Sequence, residues 1–122
     1  VYCSDFEPDA GRCDEMLGEF IEGADLAFID STYTPAEYPD RVGFGHADWR
    51  TSCRIGRAAK VGMLGLFHHA PHRKDAELLV IEQAARKLLP SYAVRQGGSA
   101  DLRAIGASVK PLAAVERGSS AA

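Results

Sequence analysis

Three short apolar runs, each followed within a few residues by a histidine or an aspartate, constrain this chain most. They are Val1–Ser4, Leu26-Ala27-Phe28-Ile29 and Met63-Leu64-Gly65-Leu66-Phe67. Each is too short for a helix and suits a buried strand. Between them lie segments of helical periodicity. From Ala10 to Glu22 the apolar residues Met16, Leu17, Phe20 and Ile21 form one stripe, and Gly23 suits the position after a helix end. A second helix is expected over Ala47–Lys60, with Ser52, Ile55 and Ala59 inward and small enough to pack closely on a sheet. A third is expected over Lys74–Leu89, with Leu78, Ile81, Ala85 and Leu88 at helical spacing and Pro90 as its stop. Ser31 to Gly45, with Pro35, Pro39, Gly43 and Gly45, reads as a turn-rich loop. Tyr92-Ala93-Val94 reads as a last short strand. This β-α-β-loop-α-β-α-β order predicts an α/β fold with a largely parallel sheet and helices packed on it.

Composition narrows the class. Of 122 residues, 46% are hydrophobic and 25% charged, which excludes a disordered or collagen-like chain. The net charge of −3 offers no general basic field to nucleic acid. No apolar run approaches the ~20 residues that span a bilayer. Cys3, Cys13 and Cys53 form no C-x-x-C pair, so reduced thiols and a cytoplasmic location are expected. The opening at Val1, already strand-like and without a leader, suggests that a longer protein precedes it. After Gly97-Gly98 the composition shifts to Gly, Ala and Ser. Residues 1–102 are accordingly read as the globular unit and 103–122 as a tail.

Ligands of open α/β sheets bind beyond the carboxyl ends of the strands. Asp5 follows the first strand, Asp30 the second and His68 the third, while His46 stands where the long loop returns to a helix. Imidazole and carboxylate are donors for zinc and similar divalent ions. Each residue also has a plainer reading. Asp5 suits a turn, and Asp30 before Ser31-Thr32 suits a turn cap. Adjacent His68 and His69 point to opposite faces of a strand, so one at most serves a given site. Arg50, Arg54 and Arg57 form a helix stripe that reads first as a solvated face and second as a phosphate guide. His72-Arg73-Lys74 adds a basic cluster at the lip of the same rim. Cys3 and Cys53 read as small core residues rather than nucleophiles.

Taken in order, Val1–Asp5, Asp25–Thr34, Gly45-His46-Ala47-Asp48-Trp49, Leu64–Pro71 and the stretch from Asp75 to Gly97 resemble the C-terminal half of a metallo-β-lactamase-fold hydrolase. The branch is the one with ribonuclease Z-like and phosphodiesterase-like enzymes. The resemblance implies half of a four-layer αββα sandwich, with a mixed, largely parallel sheet and helices on one face. It implies that Asp5 bridges two divalent ions, zinc first and manganese or iron otherwise, and that His68 ligates one of them. His46 takes the place of the family's Gly-His-Ser/Thr histidine beside the leaving group, although Ala47 departs from that motif. Asp30 and Glu37 match acidic loop positions that orient His46. The family's H-x-H-x-D-H motif lies in the other half and is absent from these residues, so the metal pair is expected only with that N-terminal half as partner. The implied activity is hydrolysis of a phosphodiester, in a phosphate-ester small molecule or nucleotide, with no membrane partner and with a homodimer as a further expectation. The alternative is a non-catalytic domain kept for binding or regulation.

Overall fold

The computed structural model describes residues 1–89; the expected strand at Tyr92–Val94, the boundary at residue 102 and the tail lie outside them. Three strands, β1 (Tyr2–Cys3), β2 (Ala27–Asp30) and β3 (Leu64–Phe67), form one sheet in the order β1-β2-β3. Both pairings are parallel, with Tyr2 opposite Phe28 and Asp30 opposite Phe67. The helices are α1 (Arg12–Ile21), α2 (Trp49–Ala58) and α3 (Asp75–Leu88). None of them is long and apolar enough to cross a membrane.

The period of two along each strand sorts side chains between faces. Ala27, Ile29, Leu64 and Leu66 turn toward the helices and form the core with Leu17, Ile21, Trp49, Cys53, Ile55, Ile81 and Ala85. Tyr2, Phe28 and Phe67 gather on the opposite face, where the Tyr2 and Phe67 rings lie 4.4 Å apart. No helix among the described residues covers that face, and Tyr2 is 67% exposed. Gly65 leaves room there for the Phe28 ring. The α/β expectation with helices on one face therefore holds.

Two expectations need correction. The inward stripe of α1 is Asp14, Leu17 and Ile21, whereas Met16 and Phe20 face solvent. Asp14 is drawn in because its carboxylate accepts from Arg54 Nη2 at 2.8 Å and from the Asp9 N–H at 3.0 Å. The second helix starts later than Ala47 because Asp48 is extended and caps it, accepting from the Arg50 and Thr51 N–H groups. At the end of α1, Gly23 adopts φ +66°, as its place after the helix suggested.

Two helical glycines differ in what surrounds them. A Cβ on Gly56 of α2 would lie 3.1 Å from both methyl carbons of Leu64, so this glycine sets how closely α2 approaches β3. A Cβ on Gly18 of α1 would meet nothing within 4 Å. Gly18→Ala should therefore raise stability by about 0.5–1 kcal/mol, and Gly56→Val should lower it by about 1–3 kcal/mol. Urea midpoints of the two variants moving in the same direction would contradict this account of the helix–sheet contact.

Candidate metal centre

Because the strands are parallel, their carboxyl ends open on one rim, and three chain segments deliver side chains there. Asp5 lies two residues past β1, Asp30 ends β2, and His68 immediately follows β3. Asp5 and His68 both adopt left-handed backbone, with φ of +53° and +59°, which L-residues seldom occupy. His46 comes from the loop between β2 and α2. That loop contains a 3₁₀ turn at Tyr38–Arg41 and a parallel bridge between Tyr33 and Asp48.

Asp30 is the hub. Its side chain is fully buried. One carboxylate oxygen accepts from the Thr32 N–H (3.2 Å), the Thr32 hydroxyl (2.9 Å) and the Ala47 N–H (3.2 Å). The other accepts from the Asp5 N–H (3.0 Å) and meets His46 Nδ1 at 2.8 Å. A buried carboxylate is thus satisfied entirely by groups that fix the rim. It serves as both the turn cap and the partner of His46.

Hydrogen accounting assigns the ring nitrogens. Facing an acceptor, His46 Nδ1 carries a proton, which leaves the Nε2 lone pair free in the neutral ring. His46 Nε2 lies 3.7 Å from Asp5 Oδ1. His68 Nδ1 lies 3.0 Å from the Thr32 hydroxyl, which also reaches the His68 carbonyl oxygen at 2.8 Å and Asp30. That hydroxyl has one hydrogen, shared between those two oxygens, so toward His68 it is assigned as the acceptor of Nδ1–H, which again leaves Nε2 free. The two imidazoles stack with centroids 4.8 Å apart and planes 16° from parallel. Ligand atoms of Asp5, His46 and His68 all lie within 4.8 Å of one another. The Ser4 hydroxyl donates to Asp5, and His68 and His46 stand nearby, so the Asp5 carboxyl is held below its ordinary pKa. One carboxylate and two imidazoles, their Nδ1 atoms anchored inward, are a donor set that fits a divalent cation.

Glu37 does not join this group. Arg73 claims it instead, with Nη1 and Nη2 at 3.0 and 2.6 Å from its two oxygens, and it also accepts from the Thr34 N–H. The expectation that Glu37 orients His46 is therefore corrected. The longer reach of the Arg73 guanidinium from the start of α3 takes both oxygens in a fork. Arg73 Nη2 additionally donates to the Thr32 carbonyl at 3.2 Å, so Glu37 and Arg73 brace the loop that carries Thr32. Sequence reasoning saw Arg73 only as part of a basic cluster and passed over Thr32. The one signal for Thr32 was its place two residues after Asp30.

His69 points elsewhere, with ring nitrogens shielded from solvent and burial pushing its pKa down. The arginine row on α2 is an exposed face, as its first reading has it, with each guanidinium engaged by a neighbour of the same chain. Arg54 pairs with Asp14, Arg57 donates to the Leu88 carbonyl, and Arg50 lies over the Trp49 ring. Burial pushes the Cys53 thiol up to about 12, which removes it as a nucleophile at neutral pH.

No family model matches the chain. Ribonuclease Z from Thermoplasma acidophilum is 35% identical over 92 residues, covering 75% of this chain and 28% of the relative. Ribonuclease Z from Thermoplasma volcanium is 31% identical over 93 residues, and that from Thermococcus sibiricus 35% over 88. The chain thus spans 26–29% of the length of these relatives. Among solved structures, the metallo-β-lactamase fold protein YhfI from Bacillus subtilis superposes with a TM-score of 0.61 at 22% identity, over 81% of this chain and 37% of that one.

Proposed function

We propose that this chain, a partial metallo-β-lactamase fold homologous to part of ribonuclease Z, supplies one half of the active site of a metal-dependent phosphodiester hydrolase. The observation that carries the reading is the convergence of Asp5, His46 and His68 from three separate segments onto one rim, with their donor atoms within 4.8 Å. Asp5 and His68 would hold divalent ions, zinc first, together with ligands from the rest of the fold. Such ions polarise the phosphate and activate water. Asp5 contributes its charge, and His68 contributes Nε2 because Thr32 occupies its Nδ1. His46, with Nδ1 kept on Asp30, would direct Nε2 to the departing oxygen as general acid rather than to the metal ion, so that of the two imidazoles only His68 would be a ligand. The uncovered Tyr2, Phe28 and Phe67 face is suited to pack against the remaining layers of the sandwich.

The test uses the full-length protein, with metal content by elemental analysis and turnover of a phosphodiester reporter. His68→Ala should lower both. His46→Ala should leave metal content near normal while turnover falls by about 10²–10⁴-fold, as for a lost general acid. Loss of metal in His46→Ala would make His46 a ligand instead. Absence of phosphodiester hydrolysis with zinc, manganese and iron supplied would overturn the hydrolase reading in favour of a binding domain.

A further inference from the structure

The loop that delivers His46 is held by polar contacts rather than by burial. Val42 and Phe44 are 65% and 60% exposed, so apolar packing does little to fix the backbone ahead of His46. Glu7 fixes it instead. One of its carboxylate oxygens accepts from the Gly43 N–H, and the other accepts from the Gly45 N–H at 2.8 Å. Gly43 and Gly45 take φ of +89° and +85°, backbone that lets both N–H groups converge on one carboxylate. The Tyr38 hydroxyl, from the 3₁₀ turn of the same loop, donates to the Pro8 carbonyl at 3.2 Å. Glu7 itself belongs to the other segment of the rim, two residues past Asp5, and Phe6 between them packs against the core.

These contacts close a ring around the candidate centre. Asp30 accepts from the Asp5 N–H at 3.0 Å and meets His46 Nδ1 at 2.8 Å. Glu7 then ties the chain just beyond Asp5 to Gly45, the residue before His46. The backbone after His46 is held where the Ala47 N–H donates to Asp30 at 3.2 Å, and the backbone before it is held by Glu7. Two fixed flanks set the direction in which the imidazole projects, and its Nε2 lies 3.7 Å from Asp5 Oδ1. We infer that Glu7 is a positioning residue for His46, which by clamping Gly43 and Gly45 aims His46 Nε2 at the group departing from the centre. The inference rests on the hydrolase reading and deepens it, because a general acid acts only when its proton is held within hydrogen-bond reach of the departing oxygen.

The experiment uses the full-length protein and a series of aryl phosphodiesters whose leaving phenols rise in pKa. A misaimed general acid costs most where the departing oxygen most needs a proton. Glu7→Ala should lower kcat by about 10–10²-fold on the poorest leaving group and by about 2-fold or less on p-nitrophenolate, with KM and metal content near those of the unmodified protein. Glu7→Gln should fall between, because its amide oxygen accepts from one glycine N–H while its NH₂ opposes the other. Added to His46→Ala, Glu7→Ala should cost nothing further. Equal losses along the series, or a full additional loss in the double variant, would overturn the positioning role and leave Glu7 a loop brace only. Two signals read the clamp without turnover. In Glu7→Ala, amide exchange at Gly43 and Gly45 should quicken by about 10-fold or more, and the His46 Nδ1 proton resonance should shift or broaden. If both stay as in the unmodified protein, the inference fails whatever the substrate. If the unmodified protein cleaves none of the phosphodiesters, the hydrolase reading fails separately, and these two signals alone decide whether Glu7 sets the place of His46.

Discussion

Asp30→Ala is expected to cost the fold about 3 kcal/mol or more and, on the proposed hydrolase function, to lower phosphodiester turnover of the full-length protein by at least the 10²-fold of a misplaced His46. The substitution removes the shared acceptor of the Asp5 and Ala47 N–H groups, of Thr32 and of His46 Nδ1, and leaves these donors in a site where Asp30 itself is fully buried. Asp30→Asn should rescue little, although it conserves shape. Both carboxylate oxygens face only donors, so an asparagine amide turned either way sets its NH₂ against an N–H or against the His46 ring. Urea unfolding and turnover measured on the same preparations check both halves of the expectation. An Asp30→Asn variant that is stable and active would show that the histidine and the two strand-end loops hold their places without the carboxylate.

Arg73→Ala should produce the second large loss, about 3 kcal/mol. The Arg73 side chain is only 3% exposed, and removing it strands Glu37 and the Thr32 carbonyl that it grips. Arg73→Lys should recover only a fraction, because an ammonium cannot span both Glu37 oxygens. The same pair predicts a pH signature. Hydrogen bonding from Arg73 above all lowers the Glu37 pKa from 4.5 to about 2. A carboxyl depressed on folding contributes stability that is fully present above its unfolded value near 4.5 and is lost as pH falls through about 2. Melting temperatures between pH 5 and 2 should therefore fall less steeply in Glu37→Gln than in the unmodified protein. Parallel curves would show that Glu37 titrates as an ordinary surface acid.

Much of this molecule was legible before any coordinates. Runs such as Ala27–Ile29 and Leu64–Phe67, apolar on both alternating faces, can lower their free energy only as sheet strands, and Gly23 suits the end of α1 through backbone sterics alone. The parallel order followed from the helices between the strands, and with it came the shared rim of Asp5, Asp30 and His68. What periodicity could not resolve was competition among polar groups. Glu37 was a reasonable partner for His46 until the folded chain brought Arg73 to it from 36 residues away. Met16 and Phe20 look as apolar as Leu17 and Ile21, yet Arg54 draws Asp14 inward and rotates α1 so that they face solvent. Thr32 has no distinguishing local pattern and gains its role through contact with His68, also 36 residues distant. Local sequence determined the elements and which end of the sheet would carry the donors, because propensity and sterics act over a few residues. The choice of ring nitrogen, ion-pair partner and loop brace was left to tertiary structure, because hydrogen bonds and buried charges are settled only where distant segments meet.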